Sequence, residues 1–206
     1  AFILLQIGGK NLLFTADLGR NQHPILVSPD PIPDVEISAL ITESTYGARV
    51  HESLIEDFTK AINKTIKRGG SILIPAFAVD RTEVILIKLK ELIDQQLIPR
   101  VPIFVDSPMA LSSLKHYRSA VSRSDTEIRL SFIADYKNQD PFDPQTIKEM
   151  KTVEESMKLN NPEHSCIIVS ASGMATGGRV VHHLKNMLPN PIHTVLLVGY
   201  QAVGTR

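Results

Sequence analysis

The sequence predicts an α/β domain with a parallel sheet and helices on both faces, preceded by a β-hairpin. Three observations carry the prediction. From Ser38 onward, short apolar runs rich in β-branched residues alternate with stretches of helical periodicity. Gly/Ser-rich turns join them, most conspicuously Ser170-Ala-Ser-Gly-Met-Ala-Thr-Gly-Gly178. At 206 residues and 43% hydrophobic content, the chain is long and apolar enough to bury a core.

Taken in order, Phe2 to Ile7 and Asn11 to Thr15 flank Gly8-Gly9 and read as a hairpin. The second strand runs out at Asp17 before Gly19. Four prolines (Pro24, Pro29, Pro31 and Pro33) make residues 21–36 an extended connector. A boundary is therefore expected between 1–36 and 37–206. Ser38 to Thr42 is a strand ending at Glu43. Leu54, Ile55, Phe58, Ile62 and Ile66 then recur at helical spacing, and Gly69-Gly70 closes that helix.

Ser71 to Phe77 is the next strand, with a helix from Arg81 to Ile93. Ile103 to Val105 is a strand running into Asp106-Ser-Pro-Met109, and a helix follows from about Ala110 to Ser122. A helix is expected from Pro144 to about Leu159. Cys166 to Val169 is a buried strand, and Arg179-Val-Val-His-His-Leu-Lys opens a helix that Pro189 and Pro191 stop. His193 to Tyr200 reads as the last strand.

In parallel sheets, ligands collect at the carboxyl ends of the strands. Those ends are Glu43-Ser44-Thr45, Ala76 to Arg81, Asp106-Ser107-Pro108, Ser170 to Arg179 and Gly199 to Thr205. They are small, polar and rich in hydroxyls. The stretch Ser172 to Arg179 leads from a strand through a Gly/Ser/Thr loop into a helix start, where unpaired backbone N–H groups suit a phosphate or another anion. It matches neither GxGxxG nor GxxxxGK[ST], which disfavours a dinucleotide site. Arg81 and Arg179 could grip phosphate bidentately or form surface salt bridges, and both readings stay open.

Composition narrows the classes further. Lys+Arg and Asp+Glu are 22 each, so bulk charge cannot hold a polyanion; local groups must. The single cysteine, Cys166, excludes an internal disulfide and fits a reducing compartment, with cytoplasmic location expected. Neither a signal peptide nor a membrane-length apolar run is legible. Ala1 starts inside an apolar strand and Arg206 ends in a loop, which reads as a piece of a larger protein. His182 and His183 are adjacent on a helix, about 100° apart, so they do not chelate one metal as an i, i+4 pair would. Structural or surface roles are expected for them, and His51 reads as a helix-start residue.

The segments FTADLGR, ITESTYG, ILIPAFAVDR, DSPMA, SASGMATGGR and GYQAVGT, in this order, resemble β-CASP proteins of the metallo-β-lactamase superfamily. That family includes RNA-processing nucleases. The resemblance runs from about Phe2 to Thr205. It implies a zinc-dependent hydrolase of RNA phosphodiesters, with Asp17 as the carboxylate bridging two Zn ions about 3.5–4 Å apart. It implies that Glu43 supports a later catalytic histidine, and that Ser107 and Ser172 to Arg179 line the RNA cleft. Within that loop Thr176, Gly177 and Gly178 are the expected backbone contacts.

The family's His-x-His-x-Asp-His motif and its last two histidines do not occur in these residues. The chain is thus expected to be the β-CASP domain with a strip of the metallo-β-lactamase domain, binding no zinc alone and inactive alone. Ala16 stands where the family usually has Gly. RNA is the expected partner and a membrane is not; pairing with a second copy is left open. The rival reading is a non-catalytic RNA-binding or scaffold relative, against which the presence of Asp17 and Glu43 argues.

Overall fold

A computed structural model describes residues 2–48, 55–137 and 139–205. Leu54 and His51 lie outside the described residues. The chain forms two compact units: Ala1–Ser53 with Ser124–Asp135, and Leu54–Arg123 with Tyr136–Arg206.

The first unit carries a three-stranded sheet. Strands β1 (Ile3–Ile7) and β2 (Lys10–Phe14) pair antiparallel around Gly8-Gly9. Both glycines have positive φ, 54° and 74°, as the two-residue turn that matches strand twist requires. Strand β3 (Ala39–Ile41) lies parallel to β2, with Phe14 opposite Ile41. Here the structure corrects the sequence reading, which put this strand in the main parallel sheet. Its short length and hydrophobic content did not reveal which sheet would take it. A short helix, α4 (Leu130–Asp135), was not anticipated either.

The second unit is built on a five-stranded, all-parallel sheet in the order β6-β5-β7-β4-β8. The inner strands β4 (Ile72–Pro75) and β7 (Ile167–Ser170) are buried at every position, because helices cover both faces. Strand β5 (Ile103–Asp106) completes the centre. Around it pack α1 (Ile55–Lys67), α2 (Arg81–Asp94), α3 (Pro108–Ser122) and α6 (Arg179–Met187). Leu73, Ile168, Val180, Leu184 and Met187 form the core between sheet and α6. Helix α3 starts at Pro108, two residues before the expected Ala110: Ser107 caps it, accepting from Ala110 N at 3.2 Å, with Pro108 in the first turn.

Two further expectations are corrected. Residues 144–159 are not one helix but β6 (Ile147–Glu149) followed by α5 (Val153–Lys158). Ile147, Met150, Val153 and Met157 mimic helical spacing. However, Thr152 and Glu155 form a reciprocal capping box that starts a new helix there. The last strand, β8, is only Thr194–Val195, and Leu196 N adds one further bond to Leu73 O at 2.9 Å.

Candidate functional site

In the second unit, the ends of β4, β5 and β7 bring three of the expected segments to one edge of the sheet, as parallel pairing dictates. The loop after β7 is shaped by its own backbone. Ala175 (φ 53°) and Gly178 (φ 80°) are left-handed, Ala175 N bonds Ser172 O at 3.1 Å, and Val180 N reaches Ala171 O. The two final glycines differ in role. A Cβ on Gly178 would meet Ala171 O at 2.7 Å, so its freedom serves the turn. A Cβ on Gly177 would meet nothing within 4 Å. Thr176 and Gly177 are exposed, and Ser172 is half-buried with its Oγ 3.5 Å from Thr176 Oγ1.

Below the loop, the structure gives Arg179 an intramolecular partner. Its Nη1 donates to Asp106 Oδ1 at 2.7 Å and to Met150 O at 2.9 Å, while Nη2 reaches Lys151 O at 3.3 Å. Asp106 has no exposed surface. Its Oδ2 accepts from Ser156 Oγ at 2.6 Å and faces His183 Nε2 at 2.6 Å, and His183 Nδ1 lies 3.0 Å from Asn160 Oδ1. Burial pushes the Asp106 carboxyl up. The hydrogen bonds from His183, Ser156 and Arg179 outweigh that and hold it below the usual carboxylate range.

Both open readings for Arg179, a phosphate grip and a surface salt bridge, therefore give way to a third, a half-buried bond to the sheet. Ser107 is buried as a helix cap. Sequence reasoning missed this network. The signals were Asp106 at the end of an apolar strand and His183 four residues after Arg179 on one helix face. Arg81, in the first turn of α2, is different: among the described residues its guanidinium makes no hydrogen bond or ion pair.

Asp17 and Glu43 sit in the first unit, beyond the carboxyl ends of the adjacent parallel strands β2 and β3. Thr15 anchors that end, bonding Thr42 Oγ1 at 2.9 Å, and Ala16 turns the chain at φ 46°. Asp17 and Glu43 are both exposed. The Thr45 N–H donates to Glu43 Oε2 at 2.7 Å, and this bond with that of the Thr45 hydroxyl holds the Glu43 carboxyl below its ordinary value. No group of three or more His, Cys, Asp or Glu side chains able to hold a metal occurs among the described residues.

A five-stranded, all-parallel sheet flanked by helices defines an α/β domain of the open-sheet type, a class in which ligands collect at the carboxyl ends of the strands. The chain belongs to the β-CASP family: the model of the Beta-Casp domain matches residues 82–206. It is similar to a ribonuclease of Thermus thermophilus, 34% identical over 99% of this chain and 46% of the relative. An RNase J-like protein of Methanocaldococcus jannaschii is 34% identical over 100% of the chain and 47% of its own length. Subunit 3 of the cleavage and polyadenylation specificity factor of Dictyostelium discoideum is 30% identical over 100% of the chain and 26% of its own length. The chain thus spans about half or less of the length of these relatives.

Proposed function

We propose that this chain is the RNA-holding portion of a metal-dependent ribonuclease that hydrolyses phosphodiester bonds in RNA processing. Residues 37–206 would form the β-CASP domain, and residues 1–36 a strip of the metallo-β-lactamase domain. The observation that supports this most is membership in a family whose similar members are named ribonucleases, together with an exposed Gly/Ser/Thr loop at the carboxyl edge of the sheet. Ser172, Thr176 and Gly177 would present hydroxyls and backbone N–H groups to phosphate, with Arg81 adding charge. Ser107, Gly178 and Arg179 would hold that surface in shape from within.

Two Zn ions are the metal the family resemblance implies, and Asp17 is the carboxylate of this chain expected to join their ligand set; a zinc site needs three or four protein ligands, and no group of three or more candidate side chains occurs among the described residues. Metal would supply hydrolytic activation of water in the complete protein. The part of this chain is to contribute Asp17 and, through Glu43, to orient a group outside these residues.

The test is cleavage of labelled single-stranded RNA by the full-length protein. Asp17→Ala should abolish cleavage and lower zinc content, whereas Glu43→Ala should slow cleavage with zinc retained. Equal zinc loss in both variants would show the roles to be divided wrongly. The 206-residue chain with RNA and zinc should not cleave above buffer. Tight RNA binding without cleavage by the full-length protein would favour the scaffold reading.

A further inference from the structure

We infer that Phe77 is a stacking platform for a nucleobase of single-stranded RNA, seated beside the loop that contacts the phosphate. The inference rests on the RNA reading above. Phe77 follows β4 at the carboxyl edge of the sheet, and its carbonyl is fixed by Thr82, which donates from N at 3.2 Å and from Oγ1 at 2.8 Å. Its ring lies against Gly173: a Cβ there would stand 2.9 Å from Phe77 Cδ2 and 3.1 Å from Cε2. The absence of a side chain on Gly173 is thus what lets the ring rest on the backbone. The residue is nevertheless 43% exposed.

This exposure is not that of a core residue left over by poor packing. On the helix that follows, Ile85, Leu86 and Leu89 are all buried. The backing residue, Gly173, belongs to the same loop that presents Ser172, Thr176 and Gly177. A ring lying against the loop proposed to face phosphate matches a nucleotide, which carries an aromatic face and a phosphate on one sugar.

Charge favours the same conclusion. With 22 basic and 22 acidic residues and Arg179 turned inward to Asp106, Coulomb attraction offers this chain little affinity for a polyanion. Base stacking supplies affinity without net charge and tolerates any base, because every base has a π face.

The experiment compares the full-length protein with Phe77→Leu and Phe77→Trp, titrated with a single-stranded oligoadenylate and with an abasic strand of equal length and charge. Stacking predicts that Phe77→Leu weakens oligoadenylate binding about fivefold or more, at unchanged melting temperature, while the abasic affinity stays the same. Phe77→Trp should restore binding. These residues contain no tryptophan, so the difference in indole emission between full-length Phe77→Trp and the unsubstituted protein reports the added ring, and oligoadenylate should quench that difference where the abasic strand does not. Unchanged oligoadenylate affinity in Phe77→Leu, or equal quenching by both strands, overturns the stacking role while leaving the RNA reading in place. A lowered melting temperature with equal losses for both strands shows a ring packed under other protein and overturns it too. Failure of the unsubstituted protein to bind either strand overturns the RNA reading, and this inference with it.

Discussion

Asp106 and Glu83 are both carboxylates with no exposed surface in the same α/β unit, and their surroundings treat them in opposite ways. Asp106, at the end of β5, has Arg179, His183 and Ser156 on its oxygens, and its carboxyl is held below the usual range. Glu83, in the first turn of α2, has no hydrogen-bond partner on either oxygen among the described residues. Burial pushes the Glu83 carboxyl up and outweighs its own backbone N–H, Ser113 and the Asp80 N–H, which favour the charged form without reaching hydrogen-bonding geometry, while the Asp80 carboxylate adds to the rise. Tyr117 of α3 donates to Asp80 Oδ1 at 3.2 Å, and burial first, then the two carboxylates, push its phenol well up. A buried charge survives where partners replace water; where they do not, the group is driven neutral. The unit thus keeps a well-partnered carboxylate beneath its loop and, between two helices, a carboxyl whose burial favours the neutral form.

The largest way to break the contrast is Asp106→Ala. It takes the shared carboxylate away from the half-buried Arg179 guanidinium and the buried His183, and removing one member of a buried ion pair costs about 3–5 kcal/mol. Chemical denaturation should show a loss of that size, and hydrogen exchange should show the 171–178 amides losing protection. A loss below about 1 kcal/mol would mean that the network is ornamental to the fold.

Arg179→Met ranks next. Asp106 keeps His183 and Ser156, so the expected cost is about 1.5–3 kcal/mol, as for a hydrogen bond to a charged group. Because the guanidinium faces Asp106, the slope of RNA affinity against salt should stay as it was. A slope shallower by about one unit would return Arg179 to the phosphate. The pH dependence has a definite sign. The stability that Asp106 contributes is fully present above its unfolded value of about 3.9 and is lost as pH falls through the lower folded value. The unsubstituted protein should therefore hold its melting temperature down to about pH 4 and lose it below that, and Asp106→Asn should flatten this acid limb.

What was legible in the sequence follows from how local the cause is. The hairpin at Gly8-Gly9 and the buried runs at Ile72 and Ile167 depend on nearest neighbours and could be read directly. Strand β3 could not be assigned to its sheet, because parallel pairing joins residues far apart in the chain. The segment 144–159 misled because its apolar spacing is helical while its capping box splits it. At the candidate site the loop was visible, but its support was not. Asp106, Ser156 and His183 are brought together across separations of 50 and 77 residues, and no spacing rule reaches that far. Arg179 was identified by type, and its ion pair with Asp106 was out of reach for the same reason.

The smallest effect, and the one that most sharpens the comparison, is expected from Glu83→Gln. Burial makes the folded state bind the Glu83 proton more tightly than the unfolded chain, which releases it near the ordinary value of about 4.3. Its contribution is therefore fully present below that pH and declines as pH rises through the raised folded value, the reverse of Asp106. Glutamine keeps the volume and cannot ionise. At pH 4 the variant should match the unsubstituted protein, since both side chains are then neutral in the folded state. At pH 8 it should be the more stable of the two, on the order of 1 kcal/mol, because it no longer competes with an ionised unfolded form or strands an unpaired charge. Melting temperatures of both proteins from pH 4 to pH 8 decide the matter. Curves that stay parallel across the range would show that the Glu83 carboxyl titrates alike in the folded and unfolded chain, and the contrast with Asp106 would fail. Curves that diverge with the unsubstituted protein on top at pH 8 would show a partner for the ionised carboxylate, and the two buried acids would then be alike.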